Sequence, residues 1–133
     1  MPEIIDKLAL VCIKDGKMLM ARSYGKDAFY NPGGKREGNE TDIQALMREI
    51  KEELGVDLIP ETIKQYGIFT RQAHGKPIGT MVQMTCYTAE LLKSPKPTGE
   101  IEEIAWLGMP DWDKISPVGE LIFNDAHEKG LLK

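Results

Sequence analysis

Three acidic side chains, Glu49, Glu52 and Glu53, fall within five consecutive residues of a segment with helical periodicity. With Glu49 as origin and about 100° per residue, Glu52 and Glu53 lie at roughly −60° and +40° on the helical wheel. All three share one face within a single turn. Like charges so close destabilise an isolated helix and raise one another's pKa, and a cation among them removes both penalties. An all-oxygen set of this kind suits magnesium, with manganese as the alternative, and magnesium commonly bridges carboxylates to substrate phosphates. The same pattern also reads as a solvated acidic face, with Arg48 and Lys51 offsetting part of the charge.

The elements that must position these acids are legible around them. Ile43, Leu46, Met47, Ile50 and Leu54 form a separate apolar stripe suited to a core, and the small Ala45 alone falls among the carboxylates. Thr41 and Gln44 have the spacing of a capping box at the helix start, with Asn39 as a competing cap. Gly55 suits the left-handed position after the helix, Val56 can pack back on its last turn, and Pro60 prevents continuation. Upstream, Pro32-Gly33-Gly34 stops a short segment, Asp27–Asn31, and lets the backbone approach a ligand or take positive φ.

The stretch from Gly34 to Val56, GKREGNETDIQALMREIKEELGV, resembles the Nudix box. That pattern runs Gly, five residues, Glu, seven residues, then Arg-Glu-aliphatic-any-Glu-Glu-any-Gly-aliphatic. Gly34, Glu40, Arg48, Glu49, Ile50, Glu52, Glu53, Gly55 and Val56 occupy every fixed position. The resemblance implies an α/β fold, a Nudix-type α/β/α sandwich with a mixed curved β-sheet, as a single domain over residues 1–133. It implies a pyrophosphohydrolase that cleaves a diphosphate linkage in a nucleoside diphosphate derivative, with Mg2+ or Mn2+ stabilising the charge on the bridging and leaving oxygens. Under it Glu49, Glu52 and Glu53 bind metal, the carbonyl of Gly33 is a further ligand, and Arg48 and Glu40 hold the box in shape. Glu49 is the first choice for activating water, with Glu53 and Arg48 completing the catalytic set. Glu100, in the cluster Glu100, Glu102 and Glu103, is an additional ligand candidate, against the reading of a plain acidic loop. The alternative to an enzyme is a non-catalytic Nudix-type module that binds a nucleotide metabolite and reports it.

The rest of the chain is consistent with one ordinary globular domain. It has 133 residues, 41% hydrophobic and 29% charged, enough to build a core. A formal charge of −4 with no Lys/Arg run argues against a nucleic-acid polymer as partner. Cys12 and Cys86 lie in apolar stretches without close spacing and read as free thiols of a reducing compartment. No signal peptide is visible in MPEIIDK, and the longest apolar run, Leu8 to Ile13, is too short for a bilayer, so the expectation is cytoplasmic. A homodimer is the default for a small domain of this kind.

In order, Leu8–Ile13 and Met18–Ala21 read as strands joined by an Asp15-Gly16 hairpin turn. Ile63–Arg71 and Thr80–Leu91 are further strands, with Val82, Met84 and Cys86 on one face, and Glu103–Leu107 is the last. Ser94–Gly99 is a connector, and Ser116-Pro117 opens a helix running to about Lys129. Substrate-binding candidates are Phe29 and Tyr30, which either stack on a base or belong to the core, and Asn31 beside the glycines. His74 and Lys76, in the loop between the two central strands, are candidates for a phosphate or sugar. Members that act on oxidised guanine nucleotides carry an Asn before a Glu in the C-terminal helix region. Here Gly119 precedes Glu120, and Asn124 lies deeper in that helix, which argues against that specificity.

Overall fold

The computed structural model describes residues 3–73 and 75–133. Strands β1 (Glu3–Val11), β2 (Ile13–Lys14), β3 (Lys17–Ser23) and β4 (Gly33–Gly34) precede helix α1 (Asp42–Leu54). Strands β5 (Lys64–Gln72), β6 (Thr80–Thr88) and β7 (Ile101–Leu107) follow, and helix α2 (Pro117–Glu128) closes the fold. Four strands form a mixed sheet in the order β4-β1-β6-β5, with β1 and β6 parallel and the other pairs antiparallel. A second sheet has the order β2-β3-β7. Asp15 (φ 54°) and Gly16 (φ 78°) both take positive φ at the β2–β3 turn, as a tight hairpin requires.

Alternation along β1 divides the core in two. Leu8 and Leu10 point to one face, where they pack with Leu46, Ile50 and Leu54 of α1. Ala9 and Val11 point to the other, and join Val82, Met84 and Cys86 of β6 with Val118, Ile122 and Phe123 of α2. One helix therefore covers each side, which is the expected α/β/α layering. Thr41 caps α1 through the reciprocal bonds of a capping box, and Gly55 ends it at φ 68°. Ser116 caps α2, with Pro117 in its first turn.

Several boundaries and one face differ from the sequence expectation, the largest being that β1 starts at Glu3, five residues before the expected Leu8. β6 ends at Thr88, and Leu91 makes only an isolated bridge to Leu58, because the chain there turns to follow the end of α1. β7 starts at Ile101, two residues early, where Ser23 of β3 supplies a partner across a register shift. A 3-10 turn, Met109–Lys114, links β7 to α2. On α1, Ile43 is 44% exposed while Ala45 is fully buried. The buried arc of the helix is thus wider than the apolar stripe and takes in Ala45. Ile43 is exposed because it stands at the start of the helix, since Ile50 and Leu54 at neighbouring angles are fully buried. Among the described residues no helix is long and apolar enough to cross a membrane.

Candidate active site

Helix α1 carries Glu49 and Glu53 against a strand of two glycines. Gly33 and Gly34 pair with Ala9 and Leu8 of β1, and Pro32 accepts a bond from the Leu10 N–H at 2.8 Å. Gly33 sits at φ 150°, and a Cβ there would lie 2.0 Å from the Leu8 carbonyl oxygen, so no side chain is tolerated. A Cβ on Gly34 would lie 2.5 Å from the carboxyl carbon of Glu49. The missing Gly34 side chain leaves the space that the Glu49 carboxylate occupies. The Gly33 N–H donates to Glu53 Oε1 at 2.9 Å.

Arg48 ties this region together. Its guanidinium grips both oxygens of Glu40, Nε to Oε2 at 2.8 Å and Nη2 to Oε1 at 3.0 Å. Nη1 reaches Glu49 Oε1 at 2.8 Å and Glu52 Oε1 at 3.3 Å, and Nη2 donates to the Lys35 carbonyl at 2.9 Å. Such a fork suits Arg, whose planar donors match carboxylates two at a time. Glu40 Oε1 also accepts the Glu37 N–H, so the loop, the helix and the acids are held by one network.

The three acids experience different surroundings. Burial pushes the Glu53 carboxyl up to about 7, with the Gly33 N–H opposing and the charge of Glu49 adding to the rise. Glu49 is also raised, chiefly by burial, while Arg48 pulls it down. The Glu52 side chain is exposed and turned to Arg48. Among the described residues no three acidic, histidine or cysteine side chains are gathered at metal-holding geometry. Even so, two desolvated carboxylates beside a backbone glycine are hard oxygen donors in want of positive charge, and they fit Mg2+ or Mn2+.

Beside Glu53 and Gly33 opens a cavity of about 320 Å³, enclosed by residues from both sheets and the start of α2. Tyr30, Asn31 and Lys76 line it, whereas Phe29 is buried in the core and bridges Ile115. Adjacent residues on this extended segment point opposite ways, so the two aromatics part company: Phe29 belongs to the packing, and Tyr30 to the cavity. Asn31 Nδ2 donates to the Leu10 carbonyl at 3.2 Å, which leaves its buried Oδ1 with no partner. Glu100 lies in an exposed turn whose carbonyl accepts the Tyr24 N–H, outside the cavity lining. Its neighbours Glu102 and Glu103 pair with Arg22. His74 lies outside the described residues. Asn124 is exposed on α2.

Sequence reasoning missed Lys7, which lines the cavity next to Glu53. The available signal was a lone Lys at an inward position of β1, between Ile5 and Ala9 on the same face.

Comparison with known proteins gives the family of the chain. An RNA pyrophosphohydrolase of Halorhodospira halophila is 47% identical over 47 residues, covering 35% of this chain and 26% of that protein. An 8-oxo-dGTP diphosphatase of Proteus vulgaris is 38% identical over 58 residues, covering 41% and 52%. The matched segments thus span about a quarter to a half of these relatives' lengths. A NUDIX hydrolase structure from Nitrosomonas europaea superposes with a TM-score of 0.76 at 20% identity, over 98% of this chain and 93% of that one, a likeness of fold. The sequence model of the NUDIX domain matches residues 7–121, nearly the whole length, and the chain therefore belongs to the NUDIX family.

Proposed function

We propose that the protein is a divalent-metal-dependent pyrophosphohydrolase acting on a small nucleotide, with Mg2+ as the working ion. The observation that carries this reading is the pairing of Glu49 and Glu53 against Gly33 and Gly34 at the edge of a cavity of nucleoside size. Glu49, Glu53 and the Gly33 carbonyl would hold the ion, with Glu52 reaching in from the outer side of the turn. When bound, the ion would polarise a phosphoryl oxygen and stabilise the negative charge that grows on the leaving oxygen.

The chain's own residues supply positioning and proton transfer. A water attacks one phosphorus, the bond from that phosphorus to the bridging oxygen breaks, and the bridging oxygen leaves with the second phosphate. Arg48 engages Oε1 of Glu49 and leaves Oε2 to take the proton of the attacking water. A desolvated carboxylate with a raised pKa suits that task. Arg48 itself acts through Glu40 and Glu49 as a positioning residue. Tyr30 and Asn31 offer the nucleoside a ring face and an amide, and Lys76 faces the same space. The names of the relatives support a phosphoanhydride as substrate, and a cavity near the small end of the ligand-pocket range favours one nucleoside over two.

The test is release of phosphate or pyrophosphate from a panel of nucleoside triphosphates, sugar nucleotides, dinucleotides and a 5′-triphosphorylated oligonucleotide, with and without Mg2+. Hydrolysis should require the metal, and Glu53→Gln should remove most of it while circular dichroism stays unchanged. Activity untouched by both Glu52→Gln and Glu53→Gln would reject the site. Tight metal-dependent binding without turnover of any compound would identify a sensor instead.

A further inference from the structure

Lys7 sits on the inward face of β1, between Ile5, which shares the cavity wall, and Ala9 in the core. Its pairing partner across the parallel ladder is Met84, another cavity residue. Folding alone would favour an apolar side chain at such a position, because a half-buried ammonium loses hydration. Among the described residues no carboxylate comes within ion-pair distance of its ammonium, and its side chain makes no hydrogen bond. Glu53 directs Oε1 to the Gly33 N–H instead. Lys35 and Lys76 add two more positive charges to its surroundings, and burial together with these neighbours lowers its pKa against the opposing pull of Glu53 and Glu49.

The charges on this rim sort into two groups. Arg48 is occupied by Glu40 and Glu49, and the remaining acid charge of Glu49 and Glu53 belongs to the metal under the reading proposed above. That leaves Lys7, Lys26 and Lys76 lining the cavity, with Lys35 near Lys7, and among the described residues no carboxylate is committed to Lys7. From this placement we infer that Lys7 is a phosphate-binding residue, whose ammonium holds the substrate's phosphate chain beside Glu53 and favours chains with a third phosphate. A diphosphate ending in a neutral sugar offers this cluster one anionic group fewer, so the same lysine discriminates between substrate classes.

The inference rests on the hydrolase reading for the location of the phosphates, but its test needs no turnover. Imidotriphosphate and imidodiphosphate, whose bridging nitrogens resist cleavage, are titrated calorimetrically into the protein in Mg2+. Wild type should bind the three-phosphate probe more tightly. Lys7→Met, matched in volume, should weaken imidotriphosphate binding roughly ten-fold, the scale of one charge-assisted hydrogen bond, and imidodiphosphate by less. Lys7→Arg should recover most of the loss, and Lys14→Met in the β2–β3 hairpin should bind as wild type. The melting temperature of Lys7→Met should not fall, since no pairing partner is lost. If Lys7→Met proves poorly folded, Lys7→Gln provides the same reading. Wild type that fails to bind imidotriphosphate, a Lys7→Met or Lys7→Gln variant with unchanged affinity, or an equal loss in Lys7→Arg would each overturn the assignment. Nucleotide turnover together with Lys7-independent binding would overturn this inference alone, whereas Lys7-dependent binding without turnover would overturn the hydrolase reading alone.

Discussion

Removing the charge of Glu53 should stabilise the metal-free protein above neutral pH and leave it almost unchanged in acid. The Glu53 carboxyl titrates near 7 in the folded protein, pushed up first by burial, against an ordinary value of 4.5. The folded state therefore holds this proton more tightly than the unfolded chain. Its contribution to stability is complete below about 4.5, declines as pH rises, and is lost above 7. That difference corresponds to about 3 kcal/mol between pH 4.5 and pH 8, a large share of the stability of a small domain. Glu53→Gln substitutes a neutral side chain of the same shape, whose oxygen can still accept the Gly33 N–H at the position of Oε1. Urea unfolding in EDTA at pH 5, 6.5 and 8 should show the variant gaining on wild type as pH rises, by up to about 3 kcal/mol at pH 8. Adding Mg2+ at pH 8 should reverse the order, because a ligand stabilises only the protein that binds it, by about 2.7 kcal/mol at one hundred times its Kd. A difference independent of pH in EDTA, or a variant less stable than wild type at pH 8, would refute the claim that desolvation governs this carboxyl.

The glycine pair separates fold from function. Gly33→Ala places a Cβ 2.0 Å from a backbone oxygen and should destabilise by more than about 3 kcal/mol in chemical denaturation. Gly34→Ala meets the movable carboxylate of Glu49, so it should keep a cooperative fold while kcat falls at least ten-fold; a fully active Gly34→Ala would remove Glu49 from the mechanism. Arg48→Gln leaves Glu40 and Glu49 facing one another without their shared cation and should cost about 2 kcal/mol in urea unfolding, on the scale of broken charge-assisted bonds. Its activity should fall mainly in kcat, and Arg48→Lys should recover little, since an ammonium cannot span both partners as a fork does.

Local chemistry made much of this protein readable from its sequence. The spacing of Glu49, Glu52 and Glu53 sets their angles about the helix axis wherever the helix lies. Thr41, Gln44 and Gly55 act within a few residues of themselves, and Asp15-Gly16 needs only its own two positive φ angles. These features depend on near neighbours, so periodicity and residue type suffice. The same locality makes the box from Gly34 to Val56 recognisable by residue type and spacing alone.

What tertiary structure decided is the orientation of each element against the others. Helical periodicity gives relative angles but not which side meets the sheet. Ala45 proved buried beside the apolar stripe, where Gly34 has no side chain to hold that flank of α1 away, and Ile43 proved exposed because it stands in the first turn. The same contact divides the acids, desolvating Glu49 and Glu53 while Glu52 stays in water beside Arg48. Phe29 and Tyr30 are equivalent by residue type, and only the bridges to Ile115 and Ala21 assign one to the core and one to the cavity. Lys7 joins the site because β1 lies between β4 and β6, a pairing between segments distant in sequence. Burial and long-range pairing set the charges' surroundings, and they arise only when the chain closes on itself.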